Sequence, residues 1–208
     1  MNKLVKDALI LTLITLIAGV ALGAVYEITK APIAAAQEAA TQAAYREVFA
    51  DADSFVVFDR LDRDAAAATI ADLNTKNGTS NEIESVVMAM DSTGNQLGYV
   101  ITMVSHSGYG GDITLSMGVA MDGTLNGYSI TDISETAGLG MKSTEEAFMS
   151  QFRGIPAATT NTLEVTKTGA TSEYEIDAIS GATITSNAVT YAVDAGLLYA
   201  SVLIGGAQ

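Results

Sequence analysis

The stretch of this sequence most suited to chemistry is Asp177–Asn187, which reads Asp-Ala-Ile-Ser-Gly-Ala-Thr-Ile-Thr-Ser-Asn. Gly181 and Ala182 have almost no side chain, so another group can approach the backbone closely there. A helix is expected to start at the hydroxyl residues that follow. The free N–H groups and the dipole of its first turn would suit an anionic phosphate. The same residues would also serve as an ordinary helix N-cap, because Ser and Thr are favoured at that position. The residues alone leave phosphate binding and capping open.

The elements that must position this stretch are strands and helices in mixed order. Segments rich in β-branched residues and bounded by turn residues predict strands over Ile83–Met90, Gly98–Ser105, Ile113–Met121, Leu125–Ile133 and Thr162–Thr166. Asp122-Gly123 is a good hairpin turn, since Gly accepts a positive φ. A helix is predicted over Thr144–Phe152, capped by Thr144, and a closing helix near Ser186–Leu203. This order predicts one α+β domain with a mainly antiparallel sheet and flanking helices.

The N-terminal part predicts a membrane anchor. Ala8–Tyr26 contains no Asp, Glu, Lys or Arg over 19 residues, which as a helix spans roughly 28 Å. Lys3 and Lys6 precede it, so the N-terminus is expected in the cytoplasm and the rest of the chain outside it. The alternative is a cleaved signal peptide, with the small residues Ala21–Ala24 near the cut.

Between anchor and strands we expect a connector. Pro32 should break the helix, and Ala34–Phe49 should form a new one. Asp59–Asp64 is interpreted as a solvated charge run and Asn74–Asn81 as a loop. The predicted division is an anchor over residues 1–28, a helical connector over 29–80 and a domain over 81–208.

Composition excludes several classes of protein. The chain has 208 residues and a formal net charge of −14, which excludes a nucleic-acid binder because phosphate neutralisation needs clustered Lys and Arg. Without Cys it cannot hold a thiolate zinc site or a cysteine-bound iron–sulfur cluster. With one His, His106, we expect no metal site and a structural role for that side chain.

Asp177-Ala178-Ile179-Ser180-Gly181-Ala182-Thr183 resembles the flavinylation motif Asp-x-x-(Ser/Thr)-Gly-Ala-Thr of the FMN-binding domain family, and the resemblance extends to Thr185 and Ser186. It implies that a separate flavin transferase joins FMN through a phosphoester to Thr183, which corresponds to the last Thr of the motif. The phosphodiester keeps one negative charge, which the helix start can hold.

Two further segments resemble loops of the same family. Ser134–Gly140 is similar to its Glu-Thr-Pro-Gly-Leu-Gly loop, with Ala137 in place of the usual Pro, and Gly108–Ile113 is similar to its Gly-Tyr-Gly-Gly segment. The resemblance implies a site with no catalytic residue in this chain and with cofactor contacts from Thr183, Asp177, Ser180, Gly181, Ala182, Thr185, Tyr109, Gly110, Glu135, Thr136, Gly138 and Leu139. The departure at Ala137 would loosen the loop without removing a functional group.

The membrane exit, Leu22–Ile33, is similar to that of the G subunits of Rnf complexes, which transfer electrons between ferredoxin and NAD while moving sodium ions or protons. The resemblance implies a single-pass membrane protein with an extracytoplasmic flavin domain. It also implies electron-transfer partners in other membrane subunits that carry flavins and iron–sulfur clusters. One alternative is the C subunit of the sodium-translocating NADH:quinone reductase. Another, of a different class, is a non-redox membrane-anchored binding domain whose Ser-Gly-Ala-Thr turn only caps a helix.

Overall fold

A single long helix, α1 (Lys3–Val48), opens the chain. The structure is a computed structural model that describes residues 3–157 and 162–205. The predicted break at Pro32 is wrong, because α1 continues through it, and no separate helix starts at Ala34. Proline removes one backbone hydrogen bond and can bend a helix without ending it, and the alanine-rich sequence beyond it favours helix.

The chain divides into two compact units, one up to Ala40 and one from Thr41 onward. In the first unit the apolar side chains of α1 are exposed; Leu22, for example, is 74% exposed. Two helices of the described residues are long and apolar enough to cross a membrane, α1 and the closing helix α4 (Thr183–Gly205). Most of α4 is buried in the second unit, so α1 is the candidate anchor.

The second unit contains a five-stranded antiparallel sheet with its strands in sequence order. The strands are β1 (Ser54–Val57), β2 (Asn81–Met90), β3 (Gln96–Ser105), β4 (Ile113–Ala120) and β5 (Leu125–Ile133). The α+β class and four of these strands were predicted, and both predictions are confirmed. The predicted turn between β4 and β5 is also present, with Gly123 at φ 88°.

One face of the sheet packs against α4 and against α2 (Arg63–Asn77). Ile101, Met103 and Met117 are completely buried there. The approach of α4 is close at Gly196, where an added Cβ would lie 2.1 Å from the Met117 sulfur. Side chains alternate between the two faces of a strand, so the next residues along β3 and β4 face the opposite side.

The opposite face is covered by the last turns of α1, which belong to the second unit. Tyr45, Val48 and Phe49 form a small core there with Val87, Ala89 and Val100. Gly118 of β4 makes room for them, because an added Cβ would lie 2.8 Å from Val48 Cβ. The sheet is therefore buried on both sides.

Three segments add to the predictions or correct them. The charged residues of Asp59–Asp64 are exposed, as predicted, and Asp62 also caps α2 by accepting hydrogen bonds from the N–H groups of Asp64 and Ala65. The supposed loop Asn74–Asn81 instead completes α2, passes through Gly78 at φ 64° and starts β2. Strand β1 was not predicted.

The helix predicted over Thr144–Phe152 is not continuous, and its α-helical part is shorter than predicted. It is a 3-10 turn (Gly140–Thr144), a one-turn helix α3 (Glu146–Met149) and a second 3-10 turn (Ser150–Phe152). Thr144 does not cap it; its hydroxyl donates to Met141 O. After this segment a parallel pair, β6 (Glu164–Thr166) and β7 (Glu175–Asp177), leads into α4.

Candidate functional site

The first turn of α4 is one wall of the candidate site. Thr183 is the first residue of α4 and is half-buried. The preceding turn contains Gly181 at φ 79°, a left-handed conformation that favours glycine. Within that turn Ala182 N donates to Ile179 O, while Ser186 N donates to Ala182 O. The N–H groups of residues 183–185 lie in the first helical turn, where no intrahelical acceptor exists, so they are available to an anion.

Ser186 holds this turn against the helix. Its hydroxyl is completely buried, accepts a hydrogen bond from Ile179 N at 2.9 Å and donates one to Ala182 O at 2.9 Å. The turn and the first helical turn therefore form one connected unit. Ser186 thus supports the backbone from within α4. An N-cap would instead be a hydroxyl residue immediately before the helix, and that residue is Ala182.

The opposite wall is built from two loops that Glu135 joins. Its side chain is 9% exposed, and its Oε1 accepts hydrogen bonds from Tyr109 N at 2.7 Å and Gly110 N at 3.1 Å. Glu135 thus fastens the loop between β3 and β4 to the loop after β5. The His106 Nδ1 atom lies 3.0 Å from Asp112 Oδ1 across the base of the first loop.

The two walls meet at Gly140. An added Cβ there would lie 2.5 Å from Glu135 Oε2 and 2.7 Å from Thr185 Oγ1. Only glycine leaves space for both side chains. The 3-10 turn that starts at Gly140 is supported by Tyr128, whose hydroxyl donates to Ser143 O at 2.8 Å. Burial raises the pKa of Tyr128, so it remains a neutral donor.

Between these walls lies a cavity of about 470 Å³, within the range of roughly 300–1,000 Å³ typical of small-molecule sites. Its lining residues are Tyr109, Glu135, Thr136, Leu139, Gly140, Gly181, Ala182, Thr183, Ile184 and Thr185. Segments far apart in sequence, around residues 109, 135–140 and 181–185, therefore converge on one cavity. That convergence is what the resemblance implied.

Four of the predicted contact residues are not among those that line the cavity. Gly110 and Gly138 belong to the two loops but do not line the cavity. Asp177 and Ser180 are exposed and line a second hollow of about 240 Å³, together with Lys142 and Gln151. The motif is therefore divided between two surfaces.

The sequence interpretation missed two residues that line the cavity. Gly140 ends the glycine loop that was singled out, and its close contacts appear only when Glu135 and Thr185 are placed beside it. Ile184 follows Thr183 directly, but nothing in its residue type indicated that it would point outward. In the structure its side chain is 52% exposed.

The residues present fit FMN. The free amides beside Thr183 suit the phosphate, and Thr183 itself has the hydroxyl that a phosphoester needs. Tyr109, Leu139 and Ile184 are 71%, 42% and 52% exposed and offer apolar surface at the cavity to a flat ring system. These three side chains line the same cavity, and an exposed apolar patch in a cavity is typical of a ligand-binding site.

Comparison with known proteins identifies both parts of the chain. The FMN-binding domain family matches residues 108–198, and the family described as RnfG N-terminal region matches residues 1–48. The G subunit of the ion-translocating oxidoreductase complex of Methanosarcina acetivorans is 30% identical over 96% of this chain and 96% of its own length. The chain belongs to the Rnf G-subunit family.

Two further Rnf relatives agree with this membership. The G subunit of the proton-translocating ferredoxin:NAD(+) oxidoreductase complex of Clostridium ljungdahlii is 32% identical over 94% of this chain and 91% of its own length. The Na(+)-translocating counterpart of Acetobacterium woodii is 40% identical over 50% of this chain and 49% of its own. The resemblance to the G subunits of Rnf complexes is confirmed, and it is better supported than the quinone-reductase alternative.

Proposed function

We propose that this chain is an electron-transfer subunit of an Rnf-type ion-translocating ferredoxin:NAD oxidoreductase complex and carries FMN covalently bound to Thr183. The observation that carries the proposal is that Thr183 lies at the first turn of α4 and lines the cavity. Two of the named relatives are G subunits of ferredoxin:NAD(+) oxidoreductase complexes, and the third is the G subunit of an ion-translocating oxidoreductase complex. Bound FMN would supply the capacity to accept and release electrons.

Each part of the cavity has a task in this proposal. The first-turn amides of α4 neutralise the phosphodiester charge, because the helix N-terminus is positive. Tyr109, Leu139 and Ile184 would offer apolar contacts to the ring system. Glu135 acts on the protein itself, since its Oε1 already accepts two backbone hydrogen bonds and thereby fixes the loop of Tyr109.

The attachment reaction needs an external enzyme. Among the described residues that line the cavity, Glu135 is the only carboxylate, and none is a His, Lys or Arg. Thr183 therefore has no free base beside it. In the reaction we propose, a flavin transferase supplies FAD and the base. The Thr183 Oγ–phosphorus bond forms, the phosphoanhydride bond to AMP breaks, and the hydroxyl proton passes to the transferase.

Placement in the membrane is part of the proposal. Apolar α1 would anchor the chain, and Lys3 and Lys6 would keep its N-terminus in the cytoplasm. The second unit would then lie outside the cytoplasm, where free FMN does not replace a lost cofactor. A covalent bond would be useful there. The partners would be the other membrane subunits of the complex.

The attachment site is tested by co-expressing the chain with a flavin transferase and viewing a denaturing gel under ultraviolet light. We expect a fluorescent band that survives boiling, and we expect Thr183→Val to abolish it. Thr183→Ser is the matched control, because it keeps a hydroxyl and should retain a band. An unchanged band in Thr183→Val would place the attachment elsewhere. A chain purified without any flavin would favour a non-redox binding domain.

A further inference from the structure

Gln151 holds the strand that leads into the attachment turn. Asp177 N donates to Gln151 Oε1 at 2.7 Å, and Gln151 Nε2 donates to Asp177 O at 3.4 Å. One side-chain amide thus bonds to both backbone groups of one residue, as a neighbouring strand would. Gln151 lies in the 3-10 turn Ser150–Phe152, 26 positions away in sequence from Asp177.

This contact completes the edge of a very small sheet. On one side β7 pairs with β6, with Asp177 opposite Thr166 and Ala178 N donating to Thr166 O at 2.8 Å. Gln151 provides hydrogen bonds to Asp177 beyond that pair. A two-stranded pair alone is marginally stable. The added bonds therefore help to fix the position of Asp177, the last residue of β7.

Gln151 is itself held by the core. The next residue, Phe152, is completely buried, and its ring lies 5.1 Å from Tyr128 and 5.4 Å from Phe148, measured between ring centres. The amide is therefore presented from a rigid segment. A rigid support is what a positioning residue needs.

The chain between Asp177 and Thr183 has little freedom. Ile179 N is bonded to Ser186 Oγ, and Ala182 N to Ile179 O. The far end of the turn is thus fixed to α4, and the near end is fixed by Gln151. The position of the Thr183 hydroxyl depends on both supports.

We propose that Gln151 is a positioning residue for flavin attachment: by bonding to both backbone groups of Asp177, it fixes the turn that presents Thr183 to the transferase. The inference rests on the proposed function, because it concerns the same attachment. It assigns a role to a side chain outside the motif. Gln151 does not line the cavity that holds Thr183.

Two replacements separate the hydrogen bonds from the packing of the side chain. Gln151→Met keeps the length of the side chain but removes both bonds. Gln151→Glu keeps an acceptor for Asp177 N, the shorter bond, and loses the donor at neutral pH. Gln96→Met is the matched control, since Gln96 also donates to a backbone oxygen, Gly98 O at 3.4 Å, on a distant strand.

The experiment measures attachment of FMN to the full chain in detergent, with purified transferase and FAD, over a range of chain concentrations. We expect Gln151→Met to lower kcat about tenfold, the size expected when two ordinary hydrogen bonds no longer hold a reacting group. KM for the chain should stay within about twofold, because the contact surface is kept. Gln151→Glu should recover part of the loss, and Gln96→Met should react like the wild type.

Three results would overturn the inference. One is a wild-type kcat in Gln151→Met. Another is a change in KM alone, which would make Gln151 a surface contact of the transferase. The last is a loss in both Gln151 variants that follows their thermal unfolding, which would show a general effect on folding. A wild-type chain that accepts no FMN from an active transferase would contradict the proposed function instead.

Discussion

At the scale of single residues, the site depends on side chains that hold the backbone in place. Glu135 accepts from two loop amides, Ser186 bonds at both ends of the attachment turn, and Gln151 bonds to both backbone groups of Asp177. Thr183 is the residue for which we propose covalent chemistry. Such an arrangement suits a cofactor that reacts itself and needs only a fixed position.

Replacing Ser186 with Ala should loosen the attachment turn. The change leaves the buried Ile179 N–H without its acceptor, which costs about 1–3 kcal/mol of stability, and it should slow FMN attachment. Urea unfolding and the fluorescent gel measure the two effects. Ser201→Ala is the matched control, because Ser201 Oγ bonds to Leu198 O on the same helix, far from the turn. Equal attachment in both variants would contradict this role of Ser186.

Asp194 should make stability depend on pH. The side chain is 3% exposed, and its Oδ2 has no hydrogen-bond partner among the described residues. Burial raises its pKa from 3.8 to about 6, against the opposing effects of the Leu163 backbone hydrogen bond and the charge of Lys76. The folded state therefore binds this proton more tightly than the unfolded chain. Its stabilising contribution is complete below about pH 4 and is lost as the pH rises through about 6.

Asp194→Asn removes this titration. We expect the variant to be more stable than the wild type at pH 8, by about 1–3 kcal/mol, and the difference to vanish toward pH 4. Urea unfolding of the full chain at several pH values measures it. Asp132→Asn, at an exposed position of β5, controls for the lost negative charge. A difference that stays constant from pH 4 to pH 8 would contradict the assignment to Asp194.

At the scale of elements, the sequence predicted what local pattern controls. Strands β2 to β5 were found because their β-branched runs are bounded by turn residues, and the closing helix α4 was predicted near Ser186–Leu203. The sequence interpretation missed the cap of α2: Asp62 is exposed, as predicted, and it also accepts hydrogen bonds from Asp64 N and Ala65 N. It also missed an element that a neighbouring strand determines. The four-residue strand β1 exists by pairing with β2.

The packing of the last turns of α1 against the sheet can be tested at Gly118. In Gly118→Ala the new Cβ would lie 2.8 Å from Val48 Cβ and 2.9 Å from Val48 O. Overpacking of this kind costs typically about 1–3 kcal/mol. We expect faster tryptic cleavage after Arg46, which is exposed at this helix end. Gly205→Ala is the control, since nothing lies within 4 Å of the added Cβ there. Cleavage at equal rates would show that the sheet tolerates the methyl group.

At the scale of the whole molecule, the chain has two units with different surroundings. Residues 1–27 contain two basic and two acidic residues, so the net charge of −14 falls on residues 28–208. The first unit exposes apolar side chains along α1, whereas the second buries its apolar side chains on both faces of a sheet. The acidity and the apolar excess of the composition thus belong to different parts of the chain.

Membrane orientation can be tested cleanly because the chain contains no cysteine. Ala170→Cys, at an exposed position of the second unit, should react in intact cells with a maleimide that does not cross the inner membrane. Leu4→Cys, at an exposed position that leaves both Lys3 and Lys6 in place, should react only after the membrane is opened, since basic residues are retained in the cytoplasm. Gel shifts of the labelled chain measure both. The reverse pattern would place the second unit in the cytoplasm.

The sequence by itself determined the apolar N-terminal helix that is the candidate anchor, the α+β class and the motif around Thr183, because these depend on composition, local pattern and short spacing. Only the tertiary structure decided which residues share the cavity. Gly140 and Ile184 line it, while Asp177 and Ser180 face a second hollow. The physical reason is that close approach and exposure depend on contacts between distant segments. Gly140 meets Glu135 and Thr185, and Gln151 meets Asp177, only after the chain has folded.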